Sequence, residues 1–221
     1  MNEINCMISA LRLKLTKLFE GEKSGHSIDH LERTLNYALC LQKKEGGDVK
    51  VIAVAAYVHD IHRIIGWHEN RFCPPEQSLN MVSELIDDLP LTPKQKEHVL
   101  YAVCHHEEYA FSGEGVTVTD VESKIVQDAD NLDAIGAIAI IRSFKYGMAH
   151  SMKEYDPDIQ FYFSDYNENT NDKSTIHHLY NKSLRLGSYL NTKTARDIAV
   201  EKTKLTKDFI ELYVKEFNCE F

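Results

Sequence analysis

The sequence predicts an all-α fold, a single helical bundle formed by all 221 residues. Apolar residues recur at spacings of three and four through most of the chain, the period of amphipathic helices rather than of strands. Residues 49–65 are apolar nearly all round, as a helix at the centre of a bundle must be. Turn signals at Gly46-Gly47-Asp48, Pro74-Pro75 and Thr92-Pro93 divide the chain into segments of helical length.

Over residues 4–19, Ile4, Ile8, Leu11, Leu15 and Leu18 form one apolar stripe. From Ser27 the pattern repeats with Ile28, Leu31, Leu35, Ala38 and Leu41 until Gly46-Gly47 turns the chain, and Asp48 can cap the next helix. Residues 49–65 contain Val51, Ile52, Ala53, Val54, Ala55, Ala56 and Val58; a buried strand competes, but length and alanine content favour a helix. Pro74-Pro75 starts a helix over residues 76–89, and Thr92 followed by Pro93 reads as an N-cap and first helical position for a helix running to about His106.

Ser112-Gly113-Glu114-Gly115 reads as a loop, and residues 121–132 and 134–146 as helices meeting near Gly136. Residues 156–173 are polar, rich in Asp and Asn, with Phe161, Tyr162, Phe163 and Tyr166 interspersed, and read as a lid or loop insertion. The last helices span residues 176–190 and 194–217, the second with Ile198, Leu205, Phe209, Leu212 and Tyr213 on its inner side. No internal repeat appears, so these helices are expected to share one bundle.

With 43% hydrophobic and 27% charged residues, the chain can bury a full core. The longest apolar stretch is too short to cross a bilayer and the N-terminus lacks the layout of a secretory signal, so a cytoplasmic protein without membrane partners is expected. Five scattered cysteines without a CxxC pair suggest neither a disulfide framework nor a thiolate zinc site. A net charge of −9 opposes attraction to a nucleic-acid duplex.

Two distant segments carry chemistry. His59-Asp60 closes the apolar run, and Gln127-Asp128-Ala129-Asp130-Asn131-Leu132-Asp133 enters another helix. An acid directly after histidine at the end of an apolar helix must be paired, protonated or metal-bound to be tolerated. Imidazole and carboxylate together hold a divalent ion at neutral pH, and three carboxylates as close as Asp128, Asp130 and Asp133 call for a compensating cation or donors.

In order and spacing, Gly25-His26-Ser27-Ile28-Asp29-His30-Leu31-Glu32-Arg33, Val58-His59-Asp60-Ile61 and the segment from Gln127 to Gly136 resemble the motifs of the HD-domain phosphohydrolase superfamily, small stand-alone bacterial type. The resemblance extends through residues 137–142 and 176–182 and so covers nearly the whole chain. It implies an all-helical fold and one or two divalent metals held by His30, His59, Asp60 and Asp130. Mn, Mg, Fe, Co, Ni and Zn all suit these ligand types.

Other residues carry expectations with structural alternatives beside them. His26 lies one turn before His30 and suits a phosphate, a helper of the metal ligands or a helix-entry surface. Arg63 suits a phosphate through charge-assisted hydrogen bonds, or a structural ion pair; His62 lies beside it. Lys182, four residues after His178, suits a phosphate oxygen or plain solvation. Cys104-His105-His106-Glu107 resembles the element that supplies extra metal ligands in the HD-GYP branch, although no Gly-Tyr-Pro follows Ser112-Gly113 and no Gly-Lys follows Asp60-Ile61. His105 and His106 can serve a second metal, protonate a leaving group or cap a helix. Asp133 reads as a base or orienting group, or as an acid stabilising a helix N-terminus.

The expectation is therefore a metal-dependent phosphohydrolase acting on a small phosphorylated molecule, in first place a nucleotide, with a homodimer left open. An HD-type di-iron oxygenase and a catalytically idle ligand-binding regulator are the alternatives.

Overall fold

The computed structural model describes residues 2–107, 118–163 and 174–221, and among them it contains helices and no strand. The loop expected at Ser112–Gly115, and the expected lid beyond Phe163 up to residue 173, lie outside the described residues. By contacts, the chain divides into two compact units, described separately.

The first unit comprises Met1–Glu22, His26–Glu108 and Val116–Asp130. Its helices are α1 (Asn2–Leu18), α2 (Ile28–Glu45), α3 (Val49–Val58), α4 (Ile61–Glu69), α5 (Leu79–Ile86), α6 (Pro93–Cys104) and most of α7 (Val121–Asp133). α3 is the centre: every residue from Val51 to Val58 is buried, and the helix packs against α1, α2 and α6. An all-apolar helix can only be stable with neighbours on every side.

Asp48 starts α3 by accepting from the Lys50 and Val51 amides, at 2.9 and 3.4 Å. Gly47 before it has φ +88°, and a Cβ there would stand 3.0 Å from Val121 Cγ1 and 3.1 Å from Ile52 Cδ1, so the turn requires glycine. α6 begins with a capping box in which Thr92 Oγ1 accepts from the Gln95 amide and Gln95 answers to the Thr92 amide. Polar groups tie the outer helices to the centre: fully buried Tyr57 donates to Glu32 Oε1 at 2.5 Å, and Arg12 reaches the same oxygen.

Two segments of this unit depart from the sequence pattern. Residues 49–65 do not form one helix but α3 and α4, parted at His59-Asp60. The helix expected over residues 76–89 divides into a 3₁₀ turn at Pro75–Ser78 and α5, because proline at the first position favours a tight turn and Ser78 Oγ donates back to the Pro75 carbonyl at 2.6 Å.

The second unit comprises Lys23–Gly25, Tyr109–Gly115 and Asn131–Phe221. It contains α8 (Ala137–Ala149), α9 (Thr175–His178), α10 (Leu184–Leu186) and the long α11 (Lys193–Asn218). Between α9 and α10 the residues Leu179–Ser183 form a π-helical turn where the sequence reads as one continuous helix. Tyr155, Phe161 and His177 stack in this unit, with ring centroids 5.6 Å (Tyr155–His177) and 4.7 Å (Phe161–His177) apart. No described helix is long and apolar enough to cross a membrane.

Candidate metal centre

In an α-helix consecutive side chains diverge by about 100°, so His59 and Asp60 could not serve one centre from inside a continuous helix. The break between α3 and α4 removes this conflict. His59 Nδ1 donates to the Ala56 carbonyl at 3.0 Å and closes α3, while the Asp60 carbonyl accepts from the Arg63 amide at 3.0 Å and opens α4. Both side chains then reach His30, which the first turn of α2 supplies. Asp130, from α7, completes the group.

His30 Nε2 stands 3.1 Å from His59 Nε2, 3.2 Å from Asp60 Oδ2 and 3.3 Å from Asp130 Oδ1. His59 Nε2 lies 3.7 Å from Asp60 Oδ1 and 3.7 Å from Asp130 Oδ1. His30 and His59 are fully buried and Asp60 is 2% exposed. His26 Nδ1 donates to Asp60 Oδ2 at 2.7 Å and so holds the carboxylate in place.

The charges are compensated. Burial alone would raise the Asp60 pKa, but His26, His59 and His30 bring it well below the ordinary carboxylate value. Burial likewise opposes ionisation of Asp130, and the neighbouring imidazoles of His30 and His59 reverse the sign. Because His59 gives its Nδ1 proton to Ala56, its Nε2 presents a lone pair toward His30 and two carboxylates. Two imidazole nitrogens and two ionised carboxylates facing one another fit a divalent cation in both charge and ligand type.

Beyond this group, His106 sits inside the same unit with its ring 5.0 Å from His59 and 5.1 Å from His62. His105 behaves differently: its ring lies 4.5 Å from that of Tyr101, and its carbonyl accepts from Gln127 Nε2. Arg63 forms an ion pair with Glu107, its guanidinium held by that carboxylate. In the second unit, fully buried Asp133 ends α7 and accepts from Arg142 Nη1 at 2.9 Å, so it is not at a helix N-terminus. Lys182 lies on the π-helical turn of that unit.

Glu107 is the residue sequence reasoning passed over. It contacts His62 at 3.3 Å and pairs with Arg63, and its carboxyl is held well below its ordinary pKa by Arg63 and His62 against the opposing effect of burial. It shares with Asp60 only the place directly after a histidine, since α6 is mostly polar and buries just Val99, Ala102 and Val103. A separate group, His98, Asp120 and Glu122, had no sequence signal, and its atoms serve the fold: Asp120 accepts from His98 and the Ser123 amide, Glu122 from the Asp48 amide.

Known proteins resemble this chain over most of its length. The HD domain model matches residues 27–135, the span that holds all four residues of the centre. YpgQ of Bacillus subtilis, an uncharacterized protein, is 28% identical over 209 residues, 93% of this chain and 91% of its own. A crystal structure of YpgQ in complex with ADP is 25% identical, with a TM-score of 0.69 over 95% of this chain and 97% of that one. An HD-superfamily hydrolase of Bacillus thuringiensis is 29% identical, with a TM-score of 0.71 over 99% and 98% of the two chains. A protein of Lactobacillus plantarum has a TM-score of 0.80 at 25% identity, covering 97% and 98%. The matched model, the helical fold and the relatives converge: residues 27–135 of this chain are an HD domain.

Proposed function

We propose that this protein is a metal-dependent phosphohydrolase acting on a small phosphorylated molecule, in first place a nucleotide, with His30, His59, Asp60 and Asp130 as the metal ligands. The observation that carries the reading is the buried donor set itself, in which His30 Nε2 faces His59, Asp60 and Asp130 within 3.3 Å. His30, His59, Asp60 and Asp130 would hold a divalent ion, which would supply Lewis-acid activation of water and of a phosphoryl oxygen. His26 orients Asp60 through its 2.7 Å hydrogen bond, and burial keeps bulk water from screening the charges. Arg63, with its guanidinium fixed by Glu107, neutralises phosphate oxygens. The ADP complex of YpgQ supports a nucleotide as the phosphorylated molecule.

The test is a screen of phosphorylated metabolites with metal-reconstituted protein, detecting phosphate and pyrophosphate separately and oxygen uptake in parallel. Release of either product in the presence of manganese or magnesium, abolished by chelation, is the expected result. Oxygen consumption with iron and no phosphorus product would replace this reading by an oxygenase, and silence across the panel by an idle regulator.

A further inference from the structure

The buried imidazoles around the centre are fixed in two different ways. His59, His62 and His106 each turn Nδ1 to the carbonyl three residues earlier, those of Ala56, His59 and Val103, at 3.0, 3.2 and 2.7 Å. A carbonyl only accepts, so each of these Nδ1 atoms carries a proton, and no side-chain substitution removes its acceptor. His30 is held otherwise: its Nδ1 stands 3.4 Å from Thr34 Oγ1, one turn later on α2. Both residues are fully buried.

A hydroxyl, unlike a carbonyl, rotates and can either donate or accept. The far nitrogen of His30 makes that freedom useful. Its Nε2 faces Asp60 Oδ2 at 3.2 Å, Asp130 Oδ1 at 3.3 Å and the lone pair of His59 Nε2 at 3.1 Å. All three accept and none donates, so in the metal-free protein the ring carries its proton on Nε2, and Nδ1 takes a hydrogen bond from the Thr34 hydroxyl. An ion needs the Nε2 lone pair, which moves the proton of the neutral ring to Nδ1 and turns Thr34 into the acceptor. A helical threonine can give its own hydrogen to a carbonyl three or four residues back, which leaves the oxygen able to accept.

We propose that Thr34 is the positioning residue for His30, a two-way hydroxyl that lets the ring exchange its Nε2–H form for its Nδ1–H form when the ion enters. One proton leaves Nε2 and one is taken up at Nδ1, so the ring stays neutral throughout. Valine, of nearly the same shape, would take this partner from Nδ1 in both states; serine would keep it. The inference rests on His30 being a metal ligand.

The experiment is long-range ¹H–¹⁵N NMR of the histidine rings in the full-length chain, metal-free and loaded with diamagnetic zinc, together with zinc affinities of the wild type, Thr34→Val, Thr34→Ser and His30→Gln. His30 should change from Nε2–H to Nδ1–H on zinc binding while His59 stays Nδ1–H in both states. Zinc affinity should fall by roughly 10–100-fold in Thr34→Val, the usual cost of losing a group that orients a ligand, and stay close to the wild type in Thr34→Ser. If Thr34→Val does not fold, the wild-type spectra and Thr34→Ser still decide. A His30 ring with the same proton in both states, or with both protons in the metal-free state, overturns the inference, as does a folded Thr34→Val that binds zinc like the wild type. Loss of zinc in His30→Gln would then leave the metal centre standing; a wild type that binds no zinc overturns both.

Discussion

Asp60→Asn removes one of the two carboxylates of the proposed centre while keeping its size, and its consequence can be worked through. Asp60 is 2% exposed, accepts from His26 at 2.7 Å and abuts His30 at 3.2 Å, so the amide takes from His26 its carboxylate partner and from His30 one of two. An ion that binds only the folded chain stabilises it by RT ln(1 + [L]/Kd), about 2.7 kcal/mol at a free concentration of 100 times Kd. For a domain of this size each kcal/mol moves Tm by about 2–4 °C, so the wild type should gain about 5–11 °C on adding manganese. Losing a ligand costs at least about 100-fold in affinity, since even changes among groups that merely orient the ligands cost about 10–100-fold. At the same manganese concentration the variant then gains only about 0.4 kcal/mol, about 1–2 °C. Differential scanning calorimetry with and without manganese reads both numbers. An Asp60→Asn variant that keeps the full manganese-dependent gain refutes the assignment of Asp60.

Asp48→Ala should cost about 0.5–2 kcal/mol in urea unfolding, because the carboxylate caps α3 and also accepts from Gln95 at 2.8 Å. Burial alone would raise the Asp48 pKa, but hydrogen bonds from Gln95, Lys50 and Val51 set it below its ordinary value. The stabilisation is therefore fully present above the unfolded pKa of about 3.9 and lost as pH falls through the folded value, so the wild type and Asp48→Ala should converge in acid. A gap that widens in acid would contradict this sign. Gly136→Ala should destabilise by at least about 1–2 kcal/mol in the same assay, since Gly136 has φ +85° and a Cβ would stand 3.1 Å from Lys202 Cβ; an unchanged midpoint would contradict it. Arg142→Met should cost about 3–5 kcal/mol by taking the guanidinium from buried Asp133; a loss below about 1 kcal/mol, the worth of an exposed pair, would show that Asp133 is compensated by other groups.

Helix identity was legible because it rests on local rules. Asp48, Thr92 and Pro93 mark helix starts by chemistry that acts within three residues, and the run from Val51 to Val58 can only be the centre of a bundle. The break at His59-Asp60 was not legible, because Ile61, Ile64 and Ile65 continue the apolar pattern and nothing in composition registers that two consecutive side chains must reach one histidine. The π-helical turn at Leu179–Ser183 was hidden for a related reason: one added residue in a turn hardly alters an apolar pattern. Within the site, His30, His59, Asp60 and Asp130 stood out because carboxylates and imidazoles are rare among apolar neighbours, and the structure brings these four together. The pairing of Glu107 with Arg63 and of Asp133 with Arg142 depends on which helices pack together, which residue spacing does not encode.

In the proposed hydrolysis, water attacks phosphorus at the centre formed by His30, His59, Asp60 and Asp130. Turnover of a nucleotide substrate in ¹⁸O-labelled water, with the products resolved by mass spectrometry, tests it most directly. The account predicts one solvent oxygen on one phosphorus-containing product for the manganese-loaded wild type, and no turnover for Asp130→Asn. Products without solvent oxygen on phosphorus, or an Asp130→Asn variant that turns over at the wild-type rate, would contradict it.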